Sequence, residues 1–524
     1  MTIASWTTKM FNAKDRLITI EIYSHFFRLI NISSQMILTI NEFIKPLVQF
    51  EMNRALNRSN IFTPNKIFAS RTVPLKEFRF HINQLADFLD LLKMKYVPED
   101  SIEIIEIPMY VPEKLNFKYR IDKEPRDYQQ KVINHIISPI ENHKIRLVGL
   151  PTGTGKTFCG LFAATKIKTR VMIIILPTYI PKWVEDIQEN LHVDKKSIIA
   201  VQGSGHLKGL IDMTRDNTLD ADYIIVSVRT LQNFIEKYEL DPDICVDEYG
   251  CRPDDLYRLT KTGQVIIDET HQHIHAIFKI TLFMHVPHLT ALSATLISDD
   301  ALIKKVHTIM YPKITRYDEL LMDKYIKIFP IDYSFNDFKN RRIRTNEFGS
   351  NTYSHNAYEK SIMRDPRNLK SYLTMISDIT ELSYIRMYEE ENKLVIFVST
   401  TAMCALLVAH LRKIYDSLVI NKYTQEDLYS NLMDSDIIVT TIQSAGTAVD
   451  IPNLTNVIMT VSVSSVVANI QVLGRLRKLQ NKDVRFAYLY CTNLPKHIET
   501  HRKRLDIFKD RAVSIKNMGY NKLL

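Results

Sequence analysis

The stretch Gly149-Leu-Pro-Thr-Gly-Thr-Gly-Lys-Thr157 decides the fold, because it follows an apolar run and precedes a helical pattern. Only 13 glycines occur in the 524 residues, yet three of them fall within positions 149–155. Glycine is needed where the backbone takes φ > 0 or approaches a phosphate closely. The run Ile145–Val148 predicts a short buried strand, and residues 158–167 predict the helix after the loop. The sequence therefore predicts a phosphate-binding loop between a strand and a helix.

In such a loop, backbone N–H groups and the N-terminus of the following helix point at an anion. We expect Lys156 to reach the β- and γ-phosphates of a nucleotide and the Thr157 hydroxyl to bind Mg²⁺. The strict pattern G-x-x-x-x-G-K-T wants glycine at position 150, where this chain has Leu150. This departure favours a helicase-type loop over other loops of the class. The residues expected around the phosphates are Gly153, Thr154, Gly155, Lys156 and Thr157.

A second apolar run, Val265–Ile267, ends in the carboxylate pair Asp268 and Glu269. Nucleotide hydrolysis needs one carboxylate to hold Mg²⁺ and another to polarise the attacking water, and we assign these roles to Asp268 and Glu269, respectively. A similar pair, Asp247-Glu248, also follows an apolar stretch. Because Asp241-Pro-Asp243 precedes it and a loop-like segment follows it, we interpret this second pair as part of an exposed insertion.

Cysteine and histidine usage argues against a structural metal and against disulfides. His271, His273 and His275 alternate, but no cysteine pair lies nearby, so we expect no structural zinc. The five scattered cysteines are odd in number and favour a reducing cytoplasm, which would be the host cytoplasm for a viral protein. No apolar run approaches the roughly 18 residues of a membrane span, and the start lacks the layout of a secretory signal.

The loop, the Asp268-Glu269 pair, Ser293-Ala-Thr295 and Gln471-Val-Leu-Gly474-Arg475 resemble, in this order, the motifs of DExH-type helicases of superfamily two. The resemblance covers roughly residues 120–490. It implies two tandem RecA-like domains with parallel sheets, which bind ATP and Mg²⁺ between them and nucleic acid as the partner. Arg126-Asp-Tyr-Gln129 resembles the element that reads adenine, so Gln129 is the implied adenine contact.

Further segments extend the resemblance and imply more site residues. The segment from Gly446 to Asp450 resembles motif V, and both of these residues would contact the nucleotide. Five polar residues would hold nucleic-acid phosphates without reading the base sequence. They are Thr178, Ser227, Thr230, Thr400 and Thr441. The residues expected to be catalytic are Lys156, Asp268, Glu269, Gln471, Arg475 and Arg477.

The motif at Gln471 departs from the family pattern Q-x-x-G-R-x-x-R, because Lys478 stands where the last arginine is expected. That arginine stabilises charge on the γ-phosphate in the transition state, and lysine lacks its planar fork. Three interpretations remain open: Arg475 acts alone, Arg477 takes the role through a local shift, or Lys478 is a weaker substitute. We favour Arg475 together with Arg477, and a plain basic surface at positions 477 and 478 is the alternative.

Residues 1–115 lie outside the motor motifs and predict a small α+β module. We expect strands at 16–23, 66–73 and 101–107 and helices at 35–44 and 82–92. This element order resembles the phage UvsW group of recombination and branch-migration helicases. Its basic residues are a candidate contact with duplex DNA, with an ordinary solvated face as the equal alternative. They are Arg54, Arg58, Lys66, Arg71 and Lys76.

The predicted organisation is an α/β protein with an accessory module at 1–115, RecA-like domains at 116–312 and 313–490, and a basic helical tail at 491–524. A net charge of +9 suits a polyanionic partner. We expect an ATP-dependent DNA helicase or translocase, of phage type, that remodels forks or junctions in replication, recombination or repair. An RNA helicase or a viral helicase acting on transcription complexes would share every motif. A clamp that binds ATP without hydrolysis is disfavoured, because Asp268-Glu269 is intact. Protein partners stay open.

Overall fold

A computed structural model gives the structure of the chain as two compact units. Unit 1 runs to Leu150 and from Thr154 to Glu319, and unit 2 begins at Leu320. The structure describes residues 17–52, 62–115, 123–150, 154–270, 273–293, 300–317, 324–336, 338, 340, 343–347, 352–424, 427–428, 430–445, 451–479, 482–509 and 511–520.

The N-terminal module of unit 1 is an α+β fold, as the sequence predicts. A five-stranded sheet has the order β5-β6-β2-β1-β7, in which β1 pairs antiparallel with β2 and parallel with β7. Strands β3 and β4 form a separate antiparallel pair. The elements are β1 (Ile18–Ile22), β2 (Phe26–Ile30), α1 (Met36–Ile44), β3 (Val48–Met52), β4 (Phe62–Ile67), β5 (Ser70–Thr72), β6 (Glu77–His81), α2 (Leu85–Met94) and β7 (Ile102–Glu106).

The sequence analysis missed strands β2, β3 and β6 of the module, and it missed β2 and β6 because they carry charges that are buried. Arg28 lies in β2, and Glu77 and Arg79 lie in β6, and all three are buried. Arg79 donates to Asp254 Oδ2 at 3.0 Å, and its guanidinium lies 4.1 Å from the centre of the Phe283 ring. Buried charges need such partners. This ion pair therefore joins the module to the body of unit 1.

The basic residues considered for duplex contact lie apart from this buried network. Lys66, Arg71 and Lys76 are exposed, whereas Arg54 and Arg58 lie outside the described residues. Exposure is compatible with either interpretation, a contact with duplex DNA or a solvated face, so the duplex contact stays a prediction.

The body of unit 1 is a seven-stranded parallel sheet of order β10-β11-β9-β12-β13-β8-β14. Apolar residues fill the strands, as expected when helices cover both faces. The strands are β8 (Ile145–Gly149), β9 (Val171–Ile175), β10 (Ile198–Val201), β11 (Tyr223–Ser227), β12 (Gln264–Ile267), β13 (His288–Ser293) and β14 (Arg316–Tyr317). The helices are α3 (Asp127–Ile137), α4 (Lys156–Ile167), α5 (Ile180–Leu191), α6 (Ser204–Arg215), α7 (Val228–Leu240), α8 (Pro242–Tyr249), α9 (Leu256–Leu259), α10 (Ile274–Thr281) and α11 (Ala301–Met310). Strand β14 carries unit 1 past the boundary expected at residue 312.

The second carboxylate pair, Asp247-Glu248, lies at the end of helix α8 rather than after a strand. Cys245 and Tyr249 bury one face of this helix, so the expectation of an exposed insertion is wrong for the segment as a whole. Asp247 itself is exposed, and Glu248 pairs with Lys208 and Lys237. Cys245 and Tyr249 are four residues apart, which is a helical spacing. The preceding Asp-Pro-Asp suggested a loop instead, and this explains the error.

Unit 2 contains a second parallel sheet, of order β17-β18-β16-β19-β20-β15-β21, and β22 pairs with β15. Its strands are β15 (Ile326–Tyr333), β16 (Lys393–Val398), β17 (Ile420–Tyr423), β18 (Ile437–Thr441), β19 (Leu454–Met459), β20 (Val484–Cys491), β21 (Ala512–Ile515) and β22 (Met518–Gly519). Its helices are α12 (His355–Arg364), α13 (Pro366–Ser383), α14 (Thr401–Arg412), α15 (Ser430–Met433), α16 (Ile442–Ala445), α17 (Val466–Leu473) and α18 (Pro495–Phe508). The tail, expected to be helical, continues after α18 into β21, which adds to the edge of this sheet.

Several features bear on metals, disulfides and membranes. All five cysteines are buried and free. His271 lies outside the described residues, and His275 bonds through Nε2 to the carbonyl of Ile67 at 3.0 Å. Within the described ranges, no cluster of three or more His, Cys, Asp or Glu side chains is arranged to hold a metal ion. No helix in those ranges has the length and apolar character needed to cross a membrane.

Candidate nucleotide and nucleic-acid sites

The loop between β8 and α4 ends at a glycine that no other residue can replace without strain. Gly155 has φ = +83°, in the left-handed region, and a Cβ there would lie 2.6 Å from Gln129 Nε2. Helix α4 starts at the next residue, Lys156, so its first N–H groups follow the turn directly. A helix N-terminus with such a turn is an anion site. Gly153 lies outside the described residues.

Gln129 ties helix α3 to this loop. Its Oε1 accepts from the backbone N–H of Arg126 at 3.0 Å, and its Nε2 donates to the carbonyl of Thr154 at 3.0 Å. The hydroxyl of Tyr128 donates to the same carbonyl at 2.8 Å. The predicted adenine contact therefore also fixes the loop, and Tyr128 is a loop contact that the sequence analysis missed.

The carboxylate pair lies at the carboxyl end of β12, as predicted, and reaches the loop lysine. Lys156 Nζ lies 3.6 Å from Glu269 Oε1. The Asp268 carboxylate accepts from the backbone N–H of Glu269 at 2.8 Å and from the indole Nε1 of Trp183 at 3.0 Å. Glu269 itself takes φ = +51°, which is unusual for a residue with a side chain. The chain thus turns sharply to bring both carboxylates to one edge of the sheet.

Electrostatics at this edge favour a cation. Burial, and next to it the nearby Glu269 carboxylate, raise the pKa of Asp268 to about 6, although Lys156 opposes the shift. Two desolvated carboxylates beside one lysine stabilise added positive charge. Carboxylate and hydroxyl oxygens are ligands that Mg²⁺ prefers. Asp268, with the half-buried Thr157 as the second candidate ligand, therefore fits a magnesium ion.

The three residues of unit 1 expected to hold nucleic-acid phosphates differ in exposure. Thr178 is exposed in a single turn, Pro177–Tyr179, ahead of α5. Ser227 and Thr230 are buried, and their hydroxyls bond each other at 2.7 Å. Ser227 caps α7, and Thr230 Oγ1 accepts from the N–H of Gly203 at 2.8 Å. Both hydroxyls thus have local partners, and their contact with nucleic acid stays a prediction.

Unit 2 has a polar pocket at the carboxyl ends of its strands, which includes Thr441. Its volume is about 740 Å³. The Thr441 hydroxyl caps the turn that starts α16, and Thr400, beside the pocket, caps α14. Most of the lining side chains are small or carry a hydroxyl or amide group. They are Asn356, Val398, Ser399, Thr401, Ala402, Lys422, Thr424, Thr441, Ile442, Gln443, Ser444, Val461, Val463, Ser465 and Ala468.

A buried acid behind this pocket, Glu359 in α12, was missed by the sequence analysis. Its carboxylate accepts from the backbone N–H groups of Ser399 and Thr400 at 2.7 and 2.9 Å, and from the Thr400 hydroxyl at 3.0 Å. Burial raises the pKa of Glu359 to about 7, although these three donors lower it. Glu359 therefore fixes the loop between β16 and α14. A glutamate within a polar helix pattern gave no signal of this role.

The motif at the end of α17 presents its basic residues at different depths. Gln471 and Arg475 are buried, Arg477 is half-buried and Lys478 is exposed. The backbone continues in turns after the helix, with Arg475 N–H donating to the carbonyl of Val472 at 3.2 Å. Two expected nucleotide contacts, Gly446 and Asp450, lie outside the described residues, as does most of Ser293-Ala-Thr295. The choice among the basic residues stays a prediction.

Comparison with known proteins bears on the fold. The family described as type III restriction enzyme, res subunit, matches residues 122–298. S. cerevisiae Dbp5 bound to RNA and ADP BeF3 aligns with a TM-score of 0.50 and 12% identity, over 76% of this chain and 91% of that chain. The fold is that of tandem RecA-like helicase domains. The Pyrococcus furiosus Hef helicase domain aligns with a TM-score of 0.43 and 13% identity, over 72% of this chain and 98% of that chain. No curated protein gives a significant match.

Within this helicase-type fold, unit 1 brings together most of the residues expected at the nucleotide. Gln129 contacts Thr154, and Lys156 contacts Glu269, across segments distant in sequence. Besides Tyr128, sequence reasoning passed over Trp183 in unit 1, which bonds to Asp268 across 85 positions of the chain. Only the packing reveals this partner.

Proposed function

We propose that the chain is an ATP-dependent DNA helicase or translocase of the DExH type, most like the phage UvsW group. The observation that carries the proposal is the arrangement in unit 1. Lys156 follows the left-handed Gly155 at the start of α4 and lies 3.6 Å from Glu269, beside the half-buried Asp268. A positively charged chain with this edge suits a nucleotide-driven motor on a polyanion.

The residues of unit 1 divide the chemistry of hydrolysis. The loop N–H groups and Lys156 bind the phosphates, and Lys156 exchanges its ion pair with Glu269 for the nucleotide. Glu269 then accepts a proton from the attacking water. Asp268 and Thr157 would hold Mg²⁺, which neutralises phosphate charge when bound. We assign Arg475 and Arg477 of unit 2 to stabilising charge on the transferred phosphate.

Nucleic-acid binding is assigned to polar residues that can hold phosphates. Thr178 is exposed in unit 1, and Thr441 lines the polar pocket of unit 2 with Thr400 beside it. Hydroxyls and helix N-termini contact phosphate without reading base sequence. The same surfaces suit RNA, and the solved Dbp5 structure contains RNA. An RNA helicase, including a viral one acting on transcription complexes, is therefore the second candidate function.

The decisive experiment measures ATP hydrolysis by the full chain with Mg²⁺ and a panel of single-stranded DNA, duplex DNA, forks, four-way junctions and RNA. We expect hydrolysis to rise with DNA, most with forks or junctions, and labelled strands to be displaced only when ATP is present. Stimulation by RNA alone would favour the second candidate. Hydrolysis that no nucleic acid changes would contradict both. Glu269→Gln serves as the control for contaminating ATPase.

A further inference from the structure

The indole of Trp183 fixes the carboxylate that we assign to magnesium. Trp183 is 2% exposed, and its Nε1 donates to Asp268 Oδ2 at 3.0 Å. The other oxygen, Oδ1, accepts from the N–H of Glu269 at 2.8 Å. One donor on each oxygen sets the plane of the carboxylate. Because a carboxylate offers about four acceptor positions, room remains for a cation.

Helix α5 connects this bond rigidly to the surface. Trp183, Ile187 and Leu191 are spaced four residues apart and are all buried, so one face of the helix is anchored in the core. The chain enters α5 through the turn Pro177–Tyr179, which follows β9 after one residue and carries the exposed Thr178. The turn and the indole that holds Asp268 therefore lie on one continuous stretch of chain, with Trp183 in the first turn of α5.

Trp183 is not merely a packing residue in this geometry. Tryptophan has a single polar atom, which only donates, so a buried indole needs one acceptor. A backbone carbonyl would satisfy it equally well. Here the acceptor is a carboxylate at the carboxyl edge of the sheet, beside the Lys156–Glu269 pair. Partners of this kind around a metal ligand orient the ligand and tune its affinity for the metal.

We infer that Trp183 is a positioning residue that couples nucleic-acid contact at the turn Pro177–Tyr179 to the orientation of Asp268. The inference rests on the proposed function, because it assumes that this turn meets nucleic acid and that Asp268 holds the metal. When nucleic acid binds at the turn, α5 shifts and the Trp183 indole changes the orientation of the Asp268 carboxylate. Trp183 itself contacts neither the nucleotide nor the nucleic acid.

The first test is Trp183→Phe, which keeps an aromatic ring but removes the donor. We expect stimulation of ATP hydrolysis by nucleic acid to fall about 10–100-fold, the usual cost of losing a partner of a metal ligand. The Mg²⁺ concentration for half-maximal hydrolysis should rise, while binding of nucleotide in EDTA and of nucleic acid stays near the wild-type level. Tyr110→Phe is the matched control, because it removes a bond to the carbonyl of Thr262 elsewhere in unit 1.

The second test leaves Trp183 in place. The only other tryptophan is Trp6, so a Trp6→Phe protein reports on Trp183 alone by fluorescence. We expect its emission to change when single-stranded DNA is added without nucleotide, and again when Mg²⁺ and AMP-PNP follow. An unchanged emission in both steps would overturn the coupling, as would a folded Trp183→Phe protein with wild-type stimulation and Mg²⁺ dependence. A wild-type protein that nucleic acid does not stimulate would instead contradict the proposed function.

Discussion

The carboxyl edges of the two parallel sheets differ in where they place acidic groups. In unit 1, Asp268 and Glu269 follow directly from strand β12 and contact a lysine and an indole. In unit 2, one acid near the edge, Glu359, comes from helix α12 and accepts from backbone N–H groups. The same architecture thus places carboxylates where a cation could bind in unit 1. In unit 2 it places loops that carry hydroxyl groups, and a carboxylate holds one of these loops in position.

What a sheet edge can bind depends on the groups that hold its loops in place. An acid at the end of a strand can still bind a metal. An acid buried behind a loop, in contrast, already accepts hydrogen bonds from that loop. The first arrangement suits the metal-assisted hydrolysis of a nucleotide. The second suits binding to the phosphate backbone of a nucleic acid. Under the proposed function, unit 2 would contribute to hydrolysis through arginine rather than through carboxylate.

The largest expected effect concerns those arginines. Arg475→Ala and Arg477→Ala should each lower ATP turnover steeply, because a finger arginine contributes about 10³–10⁵-fold in related systems. Nucleotide affinity should fall much less, and Lys478→Ala should be mild. Steady-state hydrolysis with saturating nucleic acid measures this, with melting curves as a folding check because Arg475 is buried. A silent Arg477→Ala beside an inactive Lys478→Ala would place the finger at Lys478.

The next effect tests the acid edge of unit 1. Glu269→Gln keeps the shape of the side chain but removes the base, so turnover should fall about 10²–10⁴-fold while ATP still binds. Hydrolysis and nucleotide binding are measured side by side. Glu248→Gln is the matched control, since that carboxylate pairs with Lys208 and Lys237 at the end of α8. If only the control lost activity, the assignment of Asp268-Glu269 would be wrong.

A smaller effect is expected at the loop of unit 2. Glu359→Gln replaces one acceptor oxygen by a donor, so one of the bonds to Ser399 or Thr400 is lost. An unsatisfied buried group destabilises the loop by about 1–3 kcal/mol, and we expect affinity for nucleic acid to fall roughly 10-fold as a result. Fluorescence anisotropy with labelled DNA measures it. Glu381→Gln, which instead affects a bond from the Tyr415 hydroxyl, should leave this affinity unchanged.

The smallest effect is the pH dependence of stability that Glu359 causes. Its pKa in the folded chain, about 7, exceeds the ordinary value of 4.5. The folded state therefore binds the proton more tightly, and this stabilisation is complete below about pH 4.5 and is lost as pH rises through 7. We expect the melting temperature of the wild type to fall, relative to Glu359→Gln, between pH 5 and 8. If the melting temperatures of the two proteins changed equally with pH, the raised pKa of Glu359 would be contradicted.

Much of the candidate site was predictable because its signals are local. An apolar run followed by glycine and lysine predicts a strand, a tight turn and a helix, and Gly155 has the expected positive φ. The strand before Asp268 was predicted for the same reason. Strands β2 and β6 were not predicted, because arginines such as Arg28 and Arg79 usually lie at the surface. The structure shows that both are buried in ion pairs with Asp254. The helix α8 was mistaken for an exposed insertion because its turn-like start hid the buried face.

The sequence by itself determined the α/β class, the tight turn at Gly155 and the strand that carries the carboxylate pair, since each follows from the conformational needs of neighbouring residues. Only the tertiary structure decided which distant side chains complete these sites. Trp183 reaches Asp268 across 85 positions, and Glu359 reaches Ser399 across 40. A buried polar side chain must find a partner, but the choice of partner depends on how strands and helices pack. That choice is a property of the fold and not of any local run of residues.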